Sequence, residues 1–385
     1  HCGLVGSEMC IRDRFTSDPD QPSASAVAIR GERIVYVGNE AGIESFIGPN
    51  TRKIDIGDGL LISGLMDSHT HVFNGSFSDV GVNLSLADTR EKLQVALETI
   101  RDANPGSGPV YARGWQNHLF PTTGPTAQQL DEIFGDRIVI LGSVDGHSRW
   151  FSSRALREGG VDANYPDPHP GVSFFERDPM TNEPLGTGRE KAGGHIEAEF
   201  IPGDKAAYRE RFVNWLPRAS ASGLTGVFDA WAGAPSEEEA YEIWHSLSES
   251  GDLSLRVFAS VRENDAADRI AAQFKRFEQS YSSQLIRPEA VKLAADGVPE
   301  GHTAFLLTPY VDSTNEDFGQ PMISKATLTA NVTTYFSQDI PVHIHAIGGA
   351  AVRMSLDAIE SARATTGNES CLLYTSPSPR DRNVS

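Results

Sequence analysis

From Ala26 the chain reads AVAIRGERIVYVG, apolar positions alternating with others around Gly31-Glu32, and this pattern predicts a β-hairpin. KIDIGDGLLISGLMDSHTH, from Lys53 to His71, starts with the same alternation and becomes a nearly continuous apolar run. It predicts an antiparallel unit that feeds a buried strand. Leu93, Leu97 and Ile100 give Thr89 to Ala103 helical spacing, and Thr126 with Gln129 makes a capping box ahead of Leu130 and Ile133. PVYARGW and RIVILGSVDGH are predicted as short strands. Between about Asp162 and Glu190 the turn clusters PDPHPG and DPMTNEPLG flank a hairpin predicted at Val172 to Phe175, and the stretch reads as an insertion over a site.

After it the periods become regular. Helices are predicted at Lys205 to Ala221, Ser236 to Ser250, Ala266 to Tyr281, Lys325 to Gln338 and Ala350 to Ala364. They alternate with the apolar strands LTGVFDAW, LSLRVFAS, AVKLAADG and PVHIHAIG. Ser236 with Glu239 is a second capping box, and Gly223 and Gly251 stand where helices end. Repeated strand-helix units with strands buried on both faces predict a parallel sheet, either doubly wound or a (β/α)8 barrel. No glycine-rich dinucleotide fingerprint follows the first strand, which disfavours the doubly wound nucleotide fold. Counting from SGLMDSHTH gives about five barrel strands, so the expectation is an α/β TIM barrel truncated after strand five.

Composition narrows the chemistry. With 33 basic against 52 acidic residues the net charge is −19, which repels phosphate backbones and anionic membrane surfaces. Nucleic acid and membrane are not expected partners. No run approaches the roughly 18 apolar residues of a membrane span, nor does the N-terminus show a signal-peptide pattern, so a cytoplasmic location is expected. The three cysteines, Cys2, Cys10 and Cys371, lie near the chain ends and make no disulfide framework or cysteine-rich zinc site.

HCGLVGSEMCIRDR and CLLYTSPSPRDRNVS share no periodicity with their neighbours. They resemble translated sequencing-adapter read-through, with a disordered tail as the alternative. The expected organisation is therefore 1–14 and 371–385 set aside, 15–62 a β-sandwich portion, and 63–370 a partial barrel with about 105–200 as an inserted lid.

His69-Thr70-His71 ends a predicted strand, and alternate strand residues point to one side, so both imidazoles can reach one ion. With 11 His in 385 residues, chance supplies roughly 0.3 such pairs. His343-Ile344-His345 is a second, also at the C-terminal end of a strand, where barrel sites are built. His345 is taken as the ligand there and His343 as packing. Lys292 lies inside AVKLAADG, where an unpaired ammonium is costly. Beside cations its pKa falls, and the neutral amine can add carbon dioxide to give a bridging carbamate; snorkelling or pairing with Asp296 is the alternative. His147, Trp115, Asp296 and His302 are candidate substrate contacts. A local turn for His147, a core position for Trp115, and loop capping for Asp296 and Asp229 stay open. His118, His169, His195 and His245 are read as surface or loop residues.

These stretches, taken in order from AVAIRGERIVYVG to VHIHAIG, resemble the amidohydrolase superfamily, and within it the YtcJ-like metal-dependent hydrolases related to N-substituted formamide deformylase. The resemblance implies a metal-bearing (β/α)8 barrel beside a small β-sandwich. It implies hydrolysis of a C–N bond in a small-molecule amide by metal-activated water, with two divalent ions, zinc or similar. His69 and His71 would hold one ion, a carboxylated Lys292 would bridge, and His345 would bind the second. The family's next histidine and its aspartate base are expected after residue 370, so these 385 residues are predicted to be inactive. The family's HAIGD is HAIGG here, with Gly349 in the acidic place, which puts the helix entry in doubt. A mononuclear deaminase of the same superfamily and a non-catalytic remnant or binding scaffold are the competing readings, and a homodimer is compatible with this fold class.

Overall fold

The hairpin follows from two strands separated by the two residues Gly31 and Glu32. Strand β2 (Ser23–Arg30) runs antiparallel to β3 (Arg33–Gly38), and Gly31 takes a φ of 60°, which a side chain would resist. The structure is a computed structural model that describes residues 7–15, 18, 20–73, 84–200, 205–232, 236–311 and 316–368. The chain divides into two compact units, His1–Met66 with Gly223–Thr225, and Asp67–Ser222 with Gly226–Ser385.

The first unit holds a four-stranded sheet in the order β3-β2-β1-β4, with β1 at Ser7–Phe15 and β4 at Arg52–Asp55. β1 pairs antiparallel with β2 and parallel with β4. Most of β1 falls in the segment that the sequence pattern set aside. A backbone ladder needs only an extended chain beside an open strand edge, so pairing does not require side-chain periodicity. Ala26, Ala28 and Ile43 form the small core with Tyr36, Phe46 and Ile47. Among the described residues this unit contains one sheet, so the second layer of the expected sandwich is not among them.

The chain enters the second unit within β5 (Leu65–Thr70). Next come β6 (Val110–Trp115), β7 (Val139–Ser143), β8 (Ser148–Phe151), β9 (Phe175–Arg177) and β10 (Pro184–Arg189). β11 (Leu224–Asp229), β12 (Arg256–Arg262), β13 (Ile286–Ala294) and β14 (Val342–His345) complete the set. One five-stranded sheet has the order β14-β13-β12-β11-β5, and β11 through β14 pair parallel in sequence order. Amphipathic helices at Glu237–Ser250, Ala267–Tyr281 and Lys325–Phe336 connect these strands, the arrangement of part of a (β/α) barrel.

The expected buried strand at β5 is corrected. Leu65, Met66, Asp67 and Ser68 are exposed, because β5 is an edge of this sheet and β11 covers only one of its sides. The region expected as a lid carries its own sheet, in the order β6-β7-β8-β10-β9, around Trp115, Leu130, Leu141 and Trp150 on one face and Ile140, Phe151, Phe175 and Ile196 on the other. Its hairpin is not at Val172 to Phe175. β9 and β10 pair across the DPMTNE turn, where Asp178 accepts the Met180 and Thr181 N–H groups. Both capping boxes sit at helix starts: Thr126 and Gln129 close the first turn of Ala127–Phe134, and Ser236 accepts the Glu239 N–H. Among the described residues no helix is long and apolar enough to cross a membrane.

Candidate functional site

Sheet register decides which side chains meet. Along adjacent parallel strands Arg262 of β12, Lys292 of β13 and His343 of β14 stand in one lateral row, and His345 stands beside Ala294. Residues in register share a face. Lys292 is buried at 4% exposure, and its Nζ lies 3.4 Å from His343 Nε2. The His343 ring lies 5.1 Å from that of His69 at 90°, and His69 lies 5.6 Å from His71. His345 lies 5.6 Å from His147 and its Nε2 donates to the Gly297 carbonyl at 3.2 Å. Five groups expected from scattered positions, and His343 with them, are thus gathered near the C-terminal ends of β5, β13 and β14, together with the turn after β7. His343, read as packing alone, touches both Lys292 and His69.

The electrostatics favour neutral bases. Burial, then the Lys292 charge, pushes His345 down to about 3, while burial, then His69, takes His71 to about 4. His69 and His343 move the same way, each through burial first and Lys292 second. Burial brings the Lys292 ammonium down to about 7. The expected alternative of a Lys292–Asp296 pair does not form. Asp296 accepts three backbone N–H groups, from Phe305, Ile347 and Gly348, at 2.8 to 3.0 Å. It therefore braces the loops, and its carboxylate faces the start of helix Gly349–Thr366. That helix forms with Gly349 in the acidic place, and Asp296, in the loop after β13, presents a carboxylate to its start. Asp229 likewise caps, accepting from Val72 and Trp231.

Two further candidates are placed by their packing. Trp115 is fully buried, donates to the Leu141 carbonyl and packs against Phe120 and Trp150, so it is core. His302 takes a left-handed φ of 54° and stacks on Tyr310 at 4.2 Å, with Asp317 3.8 Å away. His195 stacks on Tyr165, and His245 packs on Tyr281.

His147 is held by a group that the sequence did not announce. Its Nδ1 lies 2.8 Å from Glu190 Oε2, and Glu190 Oε1 accepts from the Thr303 hydroxyl at 2.8 Å. Burial opposes charging of His147, but the Glu190 bond and charge outweigh it, so its pKa rises above the ordinary value. Glu190 sits at a φ of 52°, costly for a residue with a side chain, and a Cβ at Gly297 would lie 2.3 Å from its Oε1. Glycine at 297 is what admits this contact.

Neutral imidazoles are the protonation state in which histidine binds a metal. His71 Nδ1 is buried with no hydrogen-bond partner among the described residues, so its donor set fits a cation. Among the described residues no group of three or more His, Cys, Asp or Glu is already arranged around a metal position.

A model of the amidohydrolase family matches residues 52–373, which include every member of this cluster. The chain belongs to the amidohydrolase family. It is 27% identical over 354 residues to the exoenzymes regulatory protein AepA of Pectobacterium carotovorum subsp. carotovorum, covering 89% of this chain and 74% of that protein. It is 25% identical over 375 residues to the N-substituted formamide deformylase of Arthrobacter pascens, covering 93% of this chain and 66% of that one. The chain spans 58% to 74% of the length of the curated relatives that it matches over most of its own. In fold, it resembles the crystal structure of an uncharacterized metal-dependent hydrolase from Pyrococcus horikoshii OT3, with a TM-score of 0.65 at 21% identity, covering 92% of this chain and 68% of that one. For an amidohydrolase, the strand ends are where sequence could have revealed more: Arg262 closes LSLRVFASVR as His345 closes VHIH. Glu190 gave no such signal, since its role depends on a backbone conformation and on partners far along the chain.

Proposed function

We propose that this amidohydrolase site serves metal-dependent hydrolysis of a C–N bond in a small amide of the formamide type. The observation that carries the reading is the gathering of neutral His69, His71 and His345 around a buried Lys292 whose amine titrates near neutrality. His69 and His71 would hold one divalent ion, zinc or similar, and His345 a second. Such ions lower the pKa of bound water and polarise a carbonyl. An amine with a pKa of about 7 is partly neutral at pH 7. It can therefore attack carbon dioxide, forming an N–C bond and losing its proton, so that Lys292 becomes an anionic carbamate able to bridge. His147, fixed by Glu190, would offer Nε2 to the substrate. Among the described carboxylates of the site, Asp229 and Asp296 accept backbone N–H groups and Glu190 holds His147 and Thr303, so none of them is assigned as the general base. The base is proposed to be an aspartate outside these 385 residues.

The test is metal content and formate release from N-ethylformamide. Chelator-stripped protein reloaded with zinc is expected to hold two equivalents, to lose one in Lys292→Ala, and to release no formate above the stripped control. Unchanged stoichiometry in Lys292→Ala would favour the deaminase reading. Failure to bind zinc at all sinks the hydrolase reading, and formate release by these 385 residues sinks the claim about the base.

A further inference from the structure

Arg262 ends β12 in the same lateral row as Lys292 and His343, so its side chain starts from the face that carries the imidazole cluster. Its guanidinium carbon lies 3.8 Å from the centre of the Trp231 ring. Trp231 follows β11 closely, and its backbone is a hydrogen-bond partner of His71. The stacked cation is therefore anchored one residue away from the cluster.

What the guanidinium lacks is an acceptor. It makes no hydrogen bond and no ion pair with any described residue. The neighbouring carboxylates are committed elsewhere: Glu237 accepts the Arg262 backbone N–H and the Gln273 amide, and Glu263 accepts from Asn331 and Tyr335. Burial, only partly offset by Glu237, holds Arg262 below its ordinary pKa, so the charge is partly desolvated and only partly compensated. Stacking uses the face of a guanidinium and leaves its N–H edges directed outward in a planar fork, the geometry that takes a carboxylate through two parallel bonds. Arg262 is half-buried and bonds its side chain to no described carboxylate, so a ligand carboxylate that displaced water from its edge would gain a charge-assisted pair.

We propose that Arg262, stacked on Trp231, is the anchor for a carboxylate on the substrate, so that the site takes anionic amides in preference to neutral ones. This rests on the amidohydrolase reading for where substrate sits, but it is tested by binding alone.

The probes are N-formylglycine and N-ethylformamide, close in size and differing in the carboxylate. Calorimetric titration of the zinc-loaded protein is expected to show tighter binding of N-formylglycine. Arg262→Gln should weaken that ligand by about tenfold to a hundredfold, the range of a lost charge-assisted pair, and leave N-ethylformamide unchanged. Arg262→Lys keeps the charge without the fork or the stacking plane, and should lose several-fold for the anion only. Equal affinity of the two ligands in the unaltered protein, absence of binding by both, or equal loss of both in the two variants overturns the proposal. Failure of the hydrolase reading has a different signature, absence of zinc binding, read before any ligand is added.

Discussion

Lys292 shows how one side chain stores free energy for chemistry. Its ammonium is buried at 4% exposure beside a histidine that carries no negative charge, and its pKa falls to about 7. In the unfolded chain the value is about 10.4. Between these values the unfolded state holds more protons, so folding stability rises with pH through that window and the cost is fully present below it. Lys292→Met removes the buried amine. In chelator-treated protein it is expected to stabilise by on the order of 2 kcal/mol at pH 6, with the gain vanishing by about pH 10.5. Urea unfolding at both pH values reads this directly, and a gain that does not change with pH would refute the burial cost. That Lys292 was a special residue was legible from its place in an apolar strand. That His343 rather than Asp296 would be its neighbour was not, because the β13–β14 register decides it.

At the scale of elements, local signals with local partners read best. The Thr126–Gln129 box is complete within four residues, and the helix Ala127–Phe134 begins there and buries Ala127, Leu130 and Phe134. Thr126→Ala is expected to cost about 1 kcal/mol, measured as a shift in the urea midpoint without a change of slope. A loss of several kcal/mol would mean that the hydroxyl does more than cap. Signals with distant partners read worse. β5 has the composition of a buried strand and lies exposed over its first four residues, since burial belongs to the neighbours a strand acquires and not to the strand itself. The β9–β10 hairpin was displaced for a related reason. Several turn clusters compete in 162–190, and Asp178, by accepting two N–H groups, selects one of them.

Across the whole molecule, the acidic excess of 19 charges sets a field that favours cations over anions, and against that field the imidazoles and Arg262 stand out as groups placed for a purpose. Metal binding should couple to folding. Zinc at about a hundred times its dissociation constant is expected to add about 2.7 kcal/mol, seen as a rise in melting temperature. Replacing both His69 and His71 by Ala should abolish that rise, and an undiminished rise in the double variant would place the ion elsewhere. The alternation of strands and helices, the paired histidines at strand ends and the buried lysine were all determined by the sequence itself, because hydrophobic period and spacing act over a few residues. Only the tertiary structure decided that Glu190 reaches His147, that Asp296 braces the turn before helix Gly349–Thr366, and that the Arg262 guanidinium stacks on the Trp231 ring. Each of these depends on strand register and loop closure between segments far apart in the chain, and no local pattern encodes where such distant segments meet.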